Sequence, residues 1–158
     1  MPIEGNFTTG AKADAIEVIT TDHREVEQLF VLIQATDGVN DLDIRADLAQ
    51  RIADDLTLHT SIEERVLYPA VRRFVDDGDT LVEEAEKDHQ EIRNLIAEVR
   101  ELAPDADDFV AAFGRLQQTV AHHVQEEERT LLPQFKESVS GEMLYELGDA
   151  LIGAKQGS

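Results

Sequence analysis

The stretch His59-Thr-Ser-Ile-Glu63-Glu-Arg-Val-Leu67-Tyr-Pro69 decides how this chain reads, because it returns 64 positions later as His123-Val-Gln-Glu-Glu127-Glu-Arg-Thr-Leu131-Leu-Pro133. Both copies follow H-x-x-x-E-E-R-x-L-x-P within long runs of helical periodicity. At about 100° per residue, positions i and i+4 share one helix face. A histidine and a glutamate stacked in this way can both point into a helical core, and two such pairs facing each other outline a nest of nitrogen and oxygen ligands.

Working outward, the apolar spacing predicts four long helices. In the first, Ile16, Ile19, His23, Val26, Phe30 and Ile33 form one stripe. The second opens near Asp41–Asp43, whose carboxylates can cap it, and runs through Leu48, Ile52, Leu56, His59, Glu63 and Val66 to a kink at Pro69. A third opens on the capping box Thr80-x-x-Glu83 and carries Ala85, His89, Ile92, Ile96 and Val99. The fourth is capped by Asp105 and carries Phe109, Phe113, Leu116, Val120, His123, Glu127 and Leu131, with a second kink at Pro133. Strand signals are weak and the connections short. The expected fold is all-α: an up-down-up-down antiparallel four-helix bundle. A short fifth helix, about Glu142 to Ile152, should lie across one end. The expected organisation is a loose arm over 1–10, the bundle over 11–137, and the short helix with its tail over 138–158. Asp22-His23-x-Glu25-Val26 is echoed by Asp88-His89-x-Glu91-Ile92, so 11–75 and 80–137 read as two helical-hairpin repeats.

Composition narrows the function. The 158 residues include 14 Lys+Arg against 34 Asp+Glu, a formal net charge of −20. Such a chain repels phosphate backbones and anionic lipid, which argues against nucleic-acid and membrane-surface partners. With no cysteine, disulfides, iron–sulfur clusters and thiolate chemistry are excluded. No signal peptide is visible, and no apolar run approaches the roughly 20 residues needed to cross a bilayer. A cytoplasmic protein is expected.

Four of the five histidines fall on the inward stripes of four helices. Two buried glutamates need a compensating charge, and no lysine or arginine shares their stripe. Metal cations would supply it. Imidazoles and carboxylates without thiolate suit iron, manganese or zinc. Two ions share six ligands well if both glutamates bridge, and a bridging oxide or hydroxide leaves an open position on each.

These residues resemble the hemerythrin-like (HHE) cation-binding proteins, over about Ala11 to Glu137. The resemblance implies a four-helix bundle with two iron ions, bridged by oxide or hydroxide. It implies the ligands His23, His59, Glu63, His89, His123 and Glu127, with Glu63 and Glu127 bridging. Oxygen-carrying members have a fifth histidine at i, i+4 on the third helix, where this chain has Ala85 and Arg93 around His89. The sequence is thus more similar to the four-histidine members, which include iron-centre repair and sensor-type proteins. The expected function is binding of oxygen, nitric oxide or peroxide for sensing, binding or redox response. Peroxidase- or catalase-like turnover, nitric oxide chemistry, and iron handling or repair are the alternatives. A separate protein partner would carry a sensor's output. Glu27 and Glu86 are candidate extra ligands, and Asp22 and Asp88 can orient a histidine on a neighbouring helix. Tyr68 packs in the core or donates a hydrogen bond or electron to the centre. His122, Glu64, Glu126 and Glu128 are expected on the surface.

Overall fold

The computed structural model describes residues 13–37 and 41–157, so the expected arm over 1–10 lies outside the described residues. The described residues are helical, without strands. Helix α1 spans Ala15–Gln34 and opens on a capping box: Asp14 accepts from the Glu17 N–H (2.9 Å) while Glu17 accepts from the Asp14 N–H (3.1 Å). Helix α2 spans Leu42–Ile62, and Asp41 caps it as expected, accepting from the Ile44 N–H.

The expected proline kinks take a specific form. After Ile62 the helix widens into a π-turn over Glu63–Leu67 and resumes as α3, Tyr68–Phe74. Pro69 lacks an N–H and its ring crowds the carbonyl four residues back, so the chain widens by one residue just ahead of it. The Tyr68 N–H then bonds to the carbonyl of Glu63. The second half does the same: α5 (Phe109–Glu126), a π-turn over Glu127–Leu131, then α6 (Leu132–Ser138), with the Leu132 N–H on the Glu127 carbonyl. Each motif glutamate therefore opens a π-turn.

Between the halves lies α4, Gly78–Arg100. The Thr80/Glu83 capping box does not form. The chain turns earlier, with the Gly78 N–H on the Val75 carbonyl (2.9 Å). A Cβ on Gly78 would overlap the Val71 carbonyl, so only glycine lets α4 start this close to α3. Asp105 does not cap α5 either; two tight turns, Ala103–Ala106 and Ala106–Phe109, carry the chain to Asp108 first. The last helix, α7 (Gly141–Gln156), is longer than expected and is capped by Ser140. It lies along α1 and not across an end. Gly148 sits so close to Ala13 and Asp14 that a Cβ would overlap the Ala13 carbonyl, and seven residues on Lys155 reaches Asp22.

Helix α1 packs on α2, α5 and α7, and α4 packs on α5, α2 and α3. The core has two apolar parts. One gathers Val26, Phe30, Ile33, Ile52, Leu56, Ile92, Ile96, Phe113, Leu116 and Val120 from α1, α2, α4 and α5. The other gathers Ile19, Ile62, Leu67, Val71, Val82, Leu132, Phe135 and Leu151, which brings in α3, α6 and α7. On every long helix the inward histidine falls at the boundary: His23 between Ile19 and Val26, His59 between Leu56 and Ile62, His89 between Ala85 and Ile92, His123 between Val120 and Leu131. A polar layer therefore divides the core. Away from it, Arg45 is buried, donating to the Thr36 hydroxyl (3.1 Å), the Thr36 carbonyl (2.5 Å) and the Pro104 carbonyl (2.8 Å). The periodicity gave no sign of that clamp.

Candidate metal centre

The polar layer holds all six residues singled out by the motif. Each is less than one-tenth exposed, and Glu63 and His89 are at 0%. Their ligand atoms form two overlapping quartets, His23/His59/Glu63/Glu127 and Glu63/His89/His123/Glu127, each with its atoms within 4.8 Å of one another. Glu63 and Glu127 belong to both. A carboxylate has two oxygens, and here they diverge. Glu63 Oε2 faces His59 Nε2 (3.2 Å), while Oε1 faces His89 Nε2 (3.0 Å) and His123 Nε2 (3.5 Å). Glu127 Oε1 faces His23 Nε2 (3.0 Å), while Oε2 faces His123 Nε2 (3.4 Å).

The first quartet tests whether these residues suit a cation. His23 Nε2, His59 Nε2, Glu63 Oε2 and Glu127 Oε1 are buried and make no hydrogen bond. Leaving a buried polar atom unpartnered costs about 1–3 kcal/mol, so four together call for something that binds lone pairs. Two nitrogens and two carboxylate oxygens are a fitting donor set for a transition-metal ion. The donors of the second quartet are engaged: the Tyr68 hydroxyl donates to Glu127 Oε2 (2.6 Å) and lies 3.2 Å from both Glu63 Oε1 and His89 Nε2.

The outer face of each imidazole is also specified. His23 Nδ1 meets Glu128 (2.6 Å), His59 Nδ1 meets Asp22 (3.0 Å) and His89 Nδ1 meets Glu64 (2.7 Å). Carboxylates only accept, so each Nδ1 carries the proton and, in the neutral ring, each Nε2 keeps its lone pair for the centre. His123 Nδ1 faces Asp88 at 3.6 Å, too long for a good bond. Of the two aspartates expected to orient a histidine on a neighbouring helix, Asp22 bonds His59 and Asp88 faces His123 without a hydrogen bond. Glu64 and Glu128 differ from the expectation of a solvated rim: they are half-buried partners of His89 and His23. The signal was in the motif, since the second glutamate of each Glu-Glu pair turns about 100° away toward the neighbouring helix. Glu27 pairs with Arg24 and Glu86 with Arg72, and neither enters a quartet. His122 and Glu126 are exposed, as expected.

Electrostatics follow the geometry. Burial opposes a charge on His59, but Glu63 and the Asp22 hydrogen bond push its pKa up to about 10. Burial likewise opposes His123, and Glu127, Asp88 and Glu63 raise it well above the usual imidazole range. Burial alone would raise Glu63; the charge on His59 and the His123 and His89 imidazoles facing it hold it well below the carboxylate range. Burial and the two glutamates push the Tyr68 phenol well above its ordinary value, so it stays protonated and donates. Without cations, then, His59 and His123 are held in their protonated forms by the carboxylates they face.

Two openings approach the layer. A cavity of about 90 Å³ is lined by Val26, Leu56, Ile92, Val120 and Val124, by the charged Asp22, Glu25, Asp55 and Lys155, and by His23, His59 and His123. Another, of about 260 Å³, passes Ala85, Asp88, His122 and Glu126 to reach His123 and Glu127.

Residues 14–135 match the family model for the hemerythrin HHE cation binding domain. The chain is 32% identical over 139 residues to a DNA nickase from Nostoc sp., covering 88% of this chain but only 38% of that protein. It is 23% identical over 127 residues to an uncharacterized hemerythrin-like protein from Schizosaccharomyces pombe, covering 80% of this chain and 61% of that one. The chain therefore spans less than two thirds of either relative. The crystal structure of a hemerythrin HHE cation binding domain-containing protein from Mycobacterium kansasii superposes with a TM-score of 0.79 at 20% identity, covering 91% of this chain and 86% of that one. That likeness concerns the fold.

Proposed function

The chain belongs to the hemerythrin HHE cation-binding domain family, and from that premise we propose that it holds two iron ions and presents them to oxygen, nitric oxide or peroxide for sensing, binding or redox response. The ligands in this reading are His23, His59, Glu63, His89, His123 and Glu127, with both glutamates shared. The observation that carries it is the set of four buried donor atoms without a hydrogen bond, beside a second quartet built from the same two carboxylates. Iron, when bound, supplies a ferrous/ferric change and coordination positions open to a small molecule.

The protein's own groups do the rest. The carboxylates outside the layer hold each imidazole in one tautomer and orientation. The Tyr68 hydroxyl, protonated and central, offers a hydrogen bond to a ligand arriving beside Glu127. The larger opening, about 260 Å³, ends on His123 and Glu127 and has room for a diatomic molecule or peroxide. The same reading includes an antiparallel up-down-up-down arrangement of α1, α2, α4 and α5 in two hairpin repeats, 11–75 and 80–137. The repeat-related pairs Asp22/Asp88 and Glu64/Glu128, each beside a histidine, support it. Turnover of peroxide is the second reading, favoured by the Tyr68 hydroxyl as a proton donor at the centre. The activity in the Nostoc relative's name is not carried over, since a net charge of −20 opposes binding to a phosphate backbone.

The test is metal analysis, followed by absorption spectra of the iron-loaded protein with oxygen, nitric oxide, azide and peroxide. Two irons per chain and ligand-dependent bands are expected. A zinc-only protein without response to small ligands would refute the redox reading. Sustained peroxide consumption would select the enzymatic one.

A further inference from the structure

The motif repeat suggests two equivalent ion positions, but the structure makes them unequal in three independent respects. The first quartet has all four donors unpartnered, whereas the second has its donors tied to the Tyr68 hydroxyl and to one another, including a His89 Nε2 to His123 Nε2 approach of 3.2 Å. An ion entering the second position must displace the Tyr68 hydroxyl and the His89–His123 approach; one entering the first meets only the His23–Glu127 and His59–Glu63 ion pairs.

The outer partners differ too. Both histidines of the first quartet rest on carboxylates that are themselves pinned by cations: Asp22 by Lys155 (2.5 Å) and Glu128 by Arg24. In the second, Arg93 pins Glu64 (2.6 Å), but among the described residues no lysine or arginine holds Asp88, and His123 lies 3.6 Å from it. The pinning groups do not follow the repeat. Lys155 comes from α7, outside both hairpins. The positions matching Arg24 and Arg93 across the 66-residue offset are Gln90 and Glu27. Access is the third difference, for the larger opening ends on His123 and the shared Glu127, whereas His23 and His59 are reached only by the smaller one.

We infer that the centre loads stepwise: the first ion binds tightly between His23, His59, Glu63 and Glu127, and the second position, at His89 and His123, is the weaker, exchangeable one that meets the incoming small molecule. Asp22, held by Lys155, is the positioning residue that sets the tight step. This rests on the two-ion reading above.

The experiment is calorimetric titration of the full metal-free chain with Zn(II) alone, which separates binding from redox chemistry. Two steps at least about tenfold apart are expected. Asp22→Asn, which among the six quartet residues touches only His59, should weaken the tighter step by about ten- to a hundredfold and leave the weaker one in place. Asp88→Asn, its repeat counterpart on His123, should weaken only the weaker step. Lys155→Met keeps the aliphatic stem and should move the tighter step in the same direction as Asp22→Asn by a smaller factor. A merely structural role for these residues would move both steps together. Two equal steps, one merged step, or loss of the tighter step in Asp88→Asn would overturn the inference while leaving the two-ion reading intact. No Zn(II) binding at all would overturn both.

Discussion

Glu63 lies in both quartets, so replacing it by the isosteric glutamine should remove the stability that bound cations contribute, at both positions together. An ion that binds only the folded chain stabilises it by about 2.7 kcal/mol when its free concentration is a hundredfold above Kd. Two such positions contribute about 5 kcal/mol, and for a domain near this size each kcal/mol raises Tm by about 2–4 °C. Anaerobic ferrous loading should therefore raise Tm by about 10–20 °C over the protein in chelator. The Glu63→Gln amide has the same shape and no charge, so the rise should collapse to within a few degrees. Each variant's own chelated sample is the reference, which cancels whatever the substitution does to the metal-free fold. Glu64→Gln is the contrast. Among the six quartet residues it touches only the outer nitrogen of His89, so it should cost about ten- to a hundredfold in affinity at one position, or about 3–10 °C of the rise. Scanning calorimetry with and without chelator reads both variants. A full metal-dependent rise in Glu63→Gln would refute the claim that this carboxylate binds the ions.

Other perturbations test the surroundings. Tyr68→Phe keeps the ring but removes a hydroxyl bonded to a buried carboxylate, so the metal-free variant should lose about 1.5–3 kcal/mol in urea unfolding. A loss under about 0.5 kcal/mol would mean that bond contributes nothing. His59, with its pKa near 10, and His123, also raised, hold protons at neutral pH in the metal-free chain, so cation binding should release close to two protons, about one from each ring. Calorimetry in buffers of different ionisation enthalpy measures this, and binding without proton release would contradict the assignment. The sign for stability follows: a raised folded pKa makes the His59 contribution complete below its unfolded value near 6.5 and lost as pH climbs through about 10. Metal-free protein should therefore weaken on alkaline titration across that window, and His59→Gln should flatten the profile. Gly148→Ala puts a Cβ into the Ala13 carbonyl and should lower Tm and loosen α7 from α1, read by faster amide exchange in α7. Unchanged exchange would show that the close approach is dispensable.

The sequence by itself determined the helices, their inward stripes and the six residues of the polar layer, because all three rest on local periodicity. A histidine and glutamate four apart share a face whatever surrounds them, and a duplicated motif doubles the constraint. Membership in the HHE family followed from the same residues. What lies between helices was beyond that reach. Glu64 and Glu128 scan as rim residues because each faces off its own helix's stripe; only the neighbouring helix turns them into partners of His89 and His23. Lys155 sits 133 residues from Asp22, in a segment whose packing along α1 depends on Gly148, and no spacing rule connects them. The missing Thr80 cap has the same origin, since a close contact at Gly78 outweighs a local capping preference. Tyr68 shows the division most clearly. Its place one residue before Pro69 was plain, but that the π-turn ahead of the proline carries its hydroxyl between two glutamates is decided by how the helices pack. Local chemistry chose the six residues of the layer; tertiary packing decided that the two halves of a near-repeat are not alike.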